Sequence, residues 1–251
     1  MIDPETKRKC RELGAPGLAE AIEMVDGDRS YAELPFGDRI RIVVDYAHQD
    51  MLNKKVASLI RSAHLRLPEA DISNIDYDGR PLSRDLVLSL GTSQFVSTAT
   101  DVLLQGYAGT GKSHLACALG KQACKNGLRT LYVRLPDMLE HRSERLEAGW
   151  SERKVIGHYA KYKLLILDEF LLDTPTSEEA RFLLELTERR YDDSSTIYCS
   201  QHCTDEWHRS LGGGAHAEAI LDRIVHNCIR IEMGDVNMRE RAALREGQEA
   251  G

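Results

Sequence analysis

Between the apolar run Val102-Leu103-Leu104 and the helix-forming run Leu115-Ala116-Cys117-Ala118-Leu119 stands the segment Gly106-Tyr107-Ala108-Gly109-Thr110-Gly111-Lys112-Ser113. No other feature restricts the fold as much. The glycines let backbone N–H groups turn inward and approach a phosphate without a Cβ in the way. Such a loop needs a strand entering it and a helix leaving it, and the helix N-terminus adds its own attraction for an anion. Lys112 supplies positive charge to the β- and γ-phosphates, and the Ser113 hydroxyl is suited to ligand Mg²⁺. The pattern predicts binding of a nucleoside triphosphate.

A second element supports the first. Leu164-Leu165-Ile166-Leu167-Asp168-Glu169 is a continuous apolar run ending in two carboxylates. Apolar runs without alternation suit a parallel strand covered on both faces. Downstream of a phosphate loop, an acid at the end of such a strand holds Mg²⁺, the role expected of Asp168. Glu169, one residue on, is expected to polarise the attacking water as general base. The pair favours ATP hydrolysis over nucleotide binding alone.

The chain has 251 residues, 42% of them hydrophobic and 29% charged, as in an ordinary soluble protein. No apolar stretch approaches the roughly 20 residues of a membrane span, and the N-terminus does not read as a signal peptide. The six cysteines, at 10, 117, 124, 199, 203 and 228, lack paired spacing. Cys117 and Cys124 read as buried thiols on one helix face, and the spacings of Cys199, His202, Cys203 and His208 fit no standard zinc site. A reduced, cytoplasmic chain without membrane contact is expected.

A net charge of −7 excludes a wholly basic, DNA-coating surface. Local charge differs. Met51 to Pro68 contains no acid but carries Lys54, Lys55, Arg61 and Arg66. Leu52, Val56, Leu59, Ile60 and Ala63 follow helical spacing and are expected to form a buried stripe. Lys54, Lys55 and Arg61 lie away from it, as either a solvated face or a nucleic-acid contact face.

Residues 1 to about 95 look helical: Ile40, Val43, Val44, Ala47 and Met51 keep the rhythm of an amphipathic helix. Pro68 ends the basic run, and Asp71 to Pro81 reads as a polar connector. Beyond it, strands are expected at Val102–Gln105, Thr130–Arg134, Leu164–Asp168, Thr196–Ser200 and Cys228–Glu232. They alternate with helices at Ser113–Asn126, Asp137–Ala148, Ser177–Tyr191 and Ala217–Val225. The alternation predicts an α/β fold with a parallel sheet.

These residues resemble the IstB-like proteins, ATPase helpers of insertion-sequence transposases, which are related to DnaC-type helicase loaders of the AAA+ class. The resemblance covers almost the whole chain: the helical N-terminal region, the phosphate loop continuing through His114-Leu115-Ala116, Leu164 to Phe170, Ser200-Gln201, Glu206-Trp207-His208, and Ala219 to His226. It implies a P-loop AAA+ core with a five-stranded parallel sheet, at residues 81–251. A small all-helical N-terminal domain, 1–80, precedes it and makes DNA, partner or subunit contacts. It implies that Gly106 to His114, with Asp168, bind ATP and that Ser113 and Asp168 hold Mg²⁺. Gln201 matches the sensor that positions the lytic water, retaining the amide donor and acceptor. Arg223 matches the arginine finger that enters a neighbouring subunit's site, a task suited to a planar, permanently charged fork. An intrachain salt bridge with Asp222 or another acid is the alternative for Arg223.

Two departures stand out. Residues 233–251 are too few for the multi-helix lid usual in the class, so the lid is reduced or absent. Arg239 is then either a second sensor on the γ-phosphate or a solvated arginine. Leu171 also stands where relatives commonly carry glycine. The implied activity is ATP-dependent remodelling of double-stranded DNA beside a cognate transposase, in a homo-oligomeric ring or helical filament. A DnaC-like helicase loader, whose partner is a replicative helicase, and a small-molecule kinase are the competing readings.

Overall fold

The computed structural model describes residues 2–249. Backbone contacts divide the chain into two compact units, with the division between Ser58 and Leu59.

In the first unit, α1 (Pro4–Glu12) and α2 (Pro16–Gly27) are followed by the short α3 (Arg29–Ala32) and the long α4 (Phe36–Ser62), which crosses the division. Asp3 caps α1 by accepting from the Thr6 N–H at 3.0 Å. Ala21, Val25 and Val43 form a small core with Leu18, Ile22, Tyr31 and Ile42. The α4 stripe departs from expectation. Ile40, Val44, Met51 and Leu52 are exposed, and of the predicted buried set only Ala63, just past the helix, is fully buried. Periodicity defines a face of a helix; it does not supply the surface that covers it.

The second unit is the α/β body. After α5 (Arg84–Gly91) and α6 (Gln94–Ser97), the chain alternates β1 (Asp101–Gln105), α7 (Lys112–Lys125), β2 (Thr130–Arg134), α8 (Leu135–Glu147), α9 (Glu152–Ala160), β3 (Leu164–Asp168), α10 (Ser177–Arg190), β4 (Ser195–Ser200), α11 (Thr204–Ser210), α12 (Gly214–His226), β5 (Cys228–Glu232) and α13 (Met238–Glu249). The five strands are parallel in the order β2-β3-β4-β1-β5. Helices cover both faces, so neighbouring strand residues feed opposite cores. Leu104, Ile166 and Ile197 face Leu115 and Leu119 of α7. Leu103, Leu165 and Tyr198 face Met138, Phe182, Trp207 and Ile220. Gly120 permits the close approach of α7 to the sheet, since a Cβ there would lie 2.6 Å from Ile166 Cδ1.

Residues 59–80, assigned by sequence to the N-terminal region, pack with this body. Ala70, Ile75 and Leu82 join the α7-side core, with Leu65, Ile72 and Tyr77 against it. The stretch expected to be a polar connector is thus a structural strap containing a 3₁₀ turn, Ile72–Asn74. Its buried residues are spaced among polar ones without a helical or strand period. Among the described residues one helix, α13, follows β5.

Candidate functional site

The loop from Gly106 to Gly111 joins β1 to α7 at the C-terminal edge of the sheet. Thr110 closes it on itself, its hydroxyl donating to Tyr107 O at 2.8 Å. Gly109 takes φ 83°, and a Cβ there would collide with the Asn237 side chain, so both conformation and space require glycine. Lys112 donates to Gly106 O and Tyr107 O at 2.6 and 2.8 Å. Burial pushes its ammonium below its ordinary range. Arg80 braces the loop from outside, donating to Thr110 O at 2.6 Å and Asp76 O at 2.8 Å.

Asp168 ends β3, two strands from the loop, and is buried. Its Oδ2 accepts from Ser113 Oγ and from Tyr132 Oη, both at 2.6 Å. Burial and the bond to Asp168 raise the Tyr132 phenol, so Tyr132 remains a donor. Glu169 lies beside it in the left-handed region at φ 55°, an uncommon conformation for a non-glycine residue. Both its oxygens are engaged. Arg134 Nη2 donates to Oε2 at 2.6 Å, and Arg66 Nη1 lies 3.4 Å from Oε1. Leu171 also takes positive φ, 54°, in the place expected to favour glycine.

The end of β4 ties these parts together. Gly106 N donates to Ser200 O at 3.3 Å and Phe170 N to Cys199 O at 2.9 Å. Ser200 Oγ donates to Phe170 O and accepts from the buried Trp207 Nε1, each at 3.0 Å. Gln201 therefore follows a strand whose two neighbours carry the phosphate loop and the acid pair, and its side chain is exposed.

A cavity of about 500 Å³ adjoins the loop, lined by Lys112, Ser113, His114, Ile75, Met238 and Arg239 among others. Burial, with nearby Arg80, lowers the His114 imidazole's affinity for a proton. Met238 N donates to Gly109 O at 2.9 Å, so α13 gives Arg239 a scaffold at the loop rather than leaving it on a free tail.

Arg223 is placed elsewhere, near the end of α12. Its helix leads into the N-terminal end of β5, whereas the phosphate loop leaves the C-terminal end of the adjacent β1. It donates to Glu188 Oε1 at 2.8 Å and Ala219 O at 2.9 Å. The intrachain ion pair considered as the alternative for Arg223 is present, with Glu188 as the acid, while Asp222 pairs with His226. Lys54, Lys55 and Arg61 are exposed on α4, with Lys54 2.7 Å from Asp50.

Arg66, Arg80, Arg134 and Tyr132 were absent from the expected site. Arg134 had a readable signal: it ends the strand before Leu164–Asp168, and the sheet pairs it in register with Asp168. Arg66 had none, because its charge lay within a basic run without distinguishing spacing.

The family model described as "IstB-like ATP binding protein" matches residues 8–246. The chain belongs to this family. Relatives include y4uH of Sinorhizobium fredii (strain NBRC 101917 / NGR234), named as an insertion-sequence ATP-binding protein and 32% identical over 240 residues, which are 95% of this chain and 96% of that one. Another, named for ATP binding in insertion sequence IS21 of Pseudomonas aeruginosa, is 31% identical over 193 residues, 76% of this chain and 71% of that one.

Solved structures extend the likeness of fold. Replication initiator DnaA bound to AMPPCP and single-stranded DNA superposes with a TM-score of 0.59 at 21% identity, over 74% of this chain and 56% of that chain. The DnaC helicase loader gives 0.52 at 18% identity, over 66% of this chain and 97% of that chain. The IstB-like chain is thus an ATP-binding protein with a P-loop AAA+ core, the fold its motifs implied. Among the described residues no helix is long and apolar enough to cross a membrane.

Proposed function

We propose that this IstB-like protein hydrolyses ATP to ADP and phosphate with Mg²⁺, as the helper of an insertion-sequence transposase. We further propose that it assembles on duplex DNA with nucleotide between subunits. One observation carries the reading: Ser113 and Asp168 meet at 2.6 Å beside a loop built for phosphate, with Glu169 next in the chain.

The donor set fits the cation. Mg²⁺ is a hard ion that takes oxygen ligands, commonly one or two from protein with the remainder from phosphates and water. A hydroxyl and a carboxylate in contact match that pattern. When bound, Mg²⁺ neutralises charge on the phosphates.

The chain's own residues do the rest. Lys112 exchanges its contacts with Gly106 O and Tyr107 O for phosphate oxygens. Glu169 turns one oxygen from its arginines to a water and takes its proton. That water's oxygen bonds to the γ-phosphorus as the bond to the β–γ bridging oxygen breaks, its electron pair leaving with ADP. Gln201 orients the water. Arg239 and His114 lie at the cavity and are assigned to nucleotide contact.

Arg223 is assigned to a neighbouring subunit's nucleotide, a reading supported by its place at the other end of the strands from its own phosphate loop. Glu188 holds the guanidinium at a half-buried surface position until a subunit docks. The exposed Lys54, Lys55 and Arg61 are assigned to DNA phosphates, which position a protein without reading bases. The helical N-terminal region would make DNA, partner or subunit contacts.

The test is sizing of the Glu169→Gln protein with and without ATP·Mg²⁺ and duplex DNA. Growth into a large particle that needs both ligands supports the assembly; a monomer under every condition overturns it.

A further inference from the structure

Arg66 reaches the acid pair from outside the sheet. The segment after α4 lies on the edge of β2, where Tyr132 N donates to Ala63 O at 2.8 Å, and Ala63 is fully buried. From that anchor, Arg66 Nη1 lies 3.4 Å from Glu169 Oε1 and 3.9 Å from Asp168 Oδ2. Its side chain is nevertheless 45% exposed.

The two arginines on Glu169 are similarly exposed, Arg134 at 39% and Arg66 at 45%, and differ in reach and in the segment that carries them. Arg134 belongs to β2 and donates at 2.6 Å. Arg66 is held at longer distances by a half-exposed side chain and also lines the cavity next to Lys112 and Ser113. With both present, each oxygen of Glu169 has an arginine competing with water for it. The Arg66 charge also opposes any cation at the Ser113–Asp168 oxygens. Exposed ion pairs of this kind are weak and readily exchanged, so Arg66, the longer contact, yields first.

We propose that Arg66 is a positioning residue that restrains turnover. Seated, it occupies Glu169 Oε1 and disfavours the divalent cation at Asp168; displaced, it frees both. Because Arg66 closely follows the end of α4 at Ser62, a shift of that helix end on binding DNA or a partner is the movement that unseats it. The proposal rests on the reading of Asp168 and Glu169 as the cation-binding and water-activating acids.

The test compares full-length wild type, Arg66→Ala and Arg66→Lys. The first measurement requires no hydrolysis: Mg²⁺ is titrated while binding of a fluorescent methylanthraniloyl derivative of a non-hydrolysable ATP analogue is followed. Arg66→Ala should lower the half-saturating Mg²⁺ concentration about three- to tenfold. The second is ATP turnover without DNA, where Arg66→Ala should raise kcat about three- to tenfold at unchanged KM. Arg66→Lys keeps the charge and should stay near wild type in both. An unchanged Mg²⁺ titration in Arg66→Ala overturns the restraint, as does a lower kcat with a higher KM, which would make Arg66 a nucleotide contact. If wild type hydrolyses no ATP under any condition, the proposed hydrolytic function fails, while the Mg²⁺ titration still decides the role of Arg66.

Discussion

Arg134 Nη2 donates to Glu169 Oε2 across 2.6 Å, although 35 positions separate the two in sequence. The carboxylate assigned to activate water is thereby fixed by the last residue of the neighbouring strand. Glu169→Gln keeps the side chain's shape and an acceptor for Arg134 but removes the proton acceptor. Hydrolysis should fall about 10²- to 10⁴-fold, the usual worth of a general base, with ATP affinity retained. Single-turnover phosphate release and equilibrium nucleotide binding, measured on one preparation, separate the two effects.

Lys112 is the only lysine in the phosphate loop, and its ammonium is buried where water screens little. Charge-assisted contacts of this type contribute about 1.5–3 kcal/mol. Lys112→Ala should therefore weaken ATP binding by about 10- to 100-fold, read by titration calorimetry. Undiminished affinity would mean that the phosphates sit elsewhere.

Arg223 precedes the N-terminal end of β5 and Lys112 follows the C-terminal end of β1, so if the site is shared, each of two dead proteins retains what the other lacks. Arg223→Ala and Lys112→Ala should each be inactive alone, and mixing them should restore part of the ATP turnover. No recovery at concentrations where wild type is active would reduce Arg223 to the partner of Glu188.

Leu171 tests a conflict between strain and burial. Its left-handed conformation costs about 1–2 kcal/mol relative to glycine, but the side chain is fully buried, and deleting such a leucine costs about 2–5 kcal/mol. Burial wins. Leu171→Gly should destabilise the protein by up to about 4 kcal/mol, seen as a lower urea midpoint. A stabilised variant would show that strain dominates this turn.

Asp101, at the start of β1, gives a pH dependence. Burial pushes its carboxyl up to about 7 against the opposing Thr196 N–H hydrogen bond and the nearby Arg190 charge. The folded state then holds a proton that the unfolded chain releases near pH 4. Stability is full below that value and declines as pH rises towards about 7, by up to about 4 kcal/mol. Asp101→Asn, neutral throughout, should flatten the decline in denaturation midpoints measured between pH 5 and 8.

The sheet was legible because its strands are short apolar runs with turn residues at their ends. Leu164–Asp168, Thr130–Arg134 and Cys228–Glu232 form as expected. The Gly106–Ser113 loop followed from local chemistry in the same way. The helices Glu152–Ala160 and Thr204–Ser210 did not, since a helix of two turns carries too little periodicity to stand out. Side-chain partners were harder still. Which cation meets Glu169 depends on the sheet order and on a strap laid along β2. Nothing local to Arg66 distinguishes it from Lys54 or Arg61, which stay in solvent. The α4 stripe failed in the opposite sense, having a clear period but a covering surface only around Val43.

The cavity beside the phosphate loop takes its walls from Asn74 to Arg80 at one side and from Met238 to Ala242 at the other, segments that flank the sheet in sequence. An occupant of that cavity would work as a clasp, joining the beginning and the end of the α/β body across the phosphate loop. Its arrival would therefore register in two segments distant from each other in sequence, as slower proteolysis of both together.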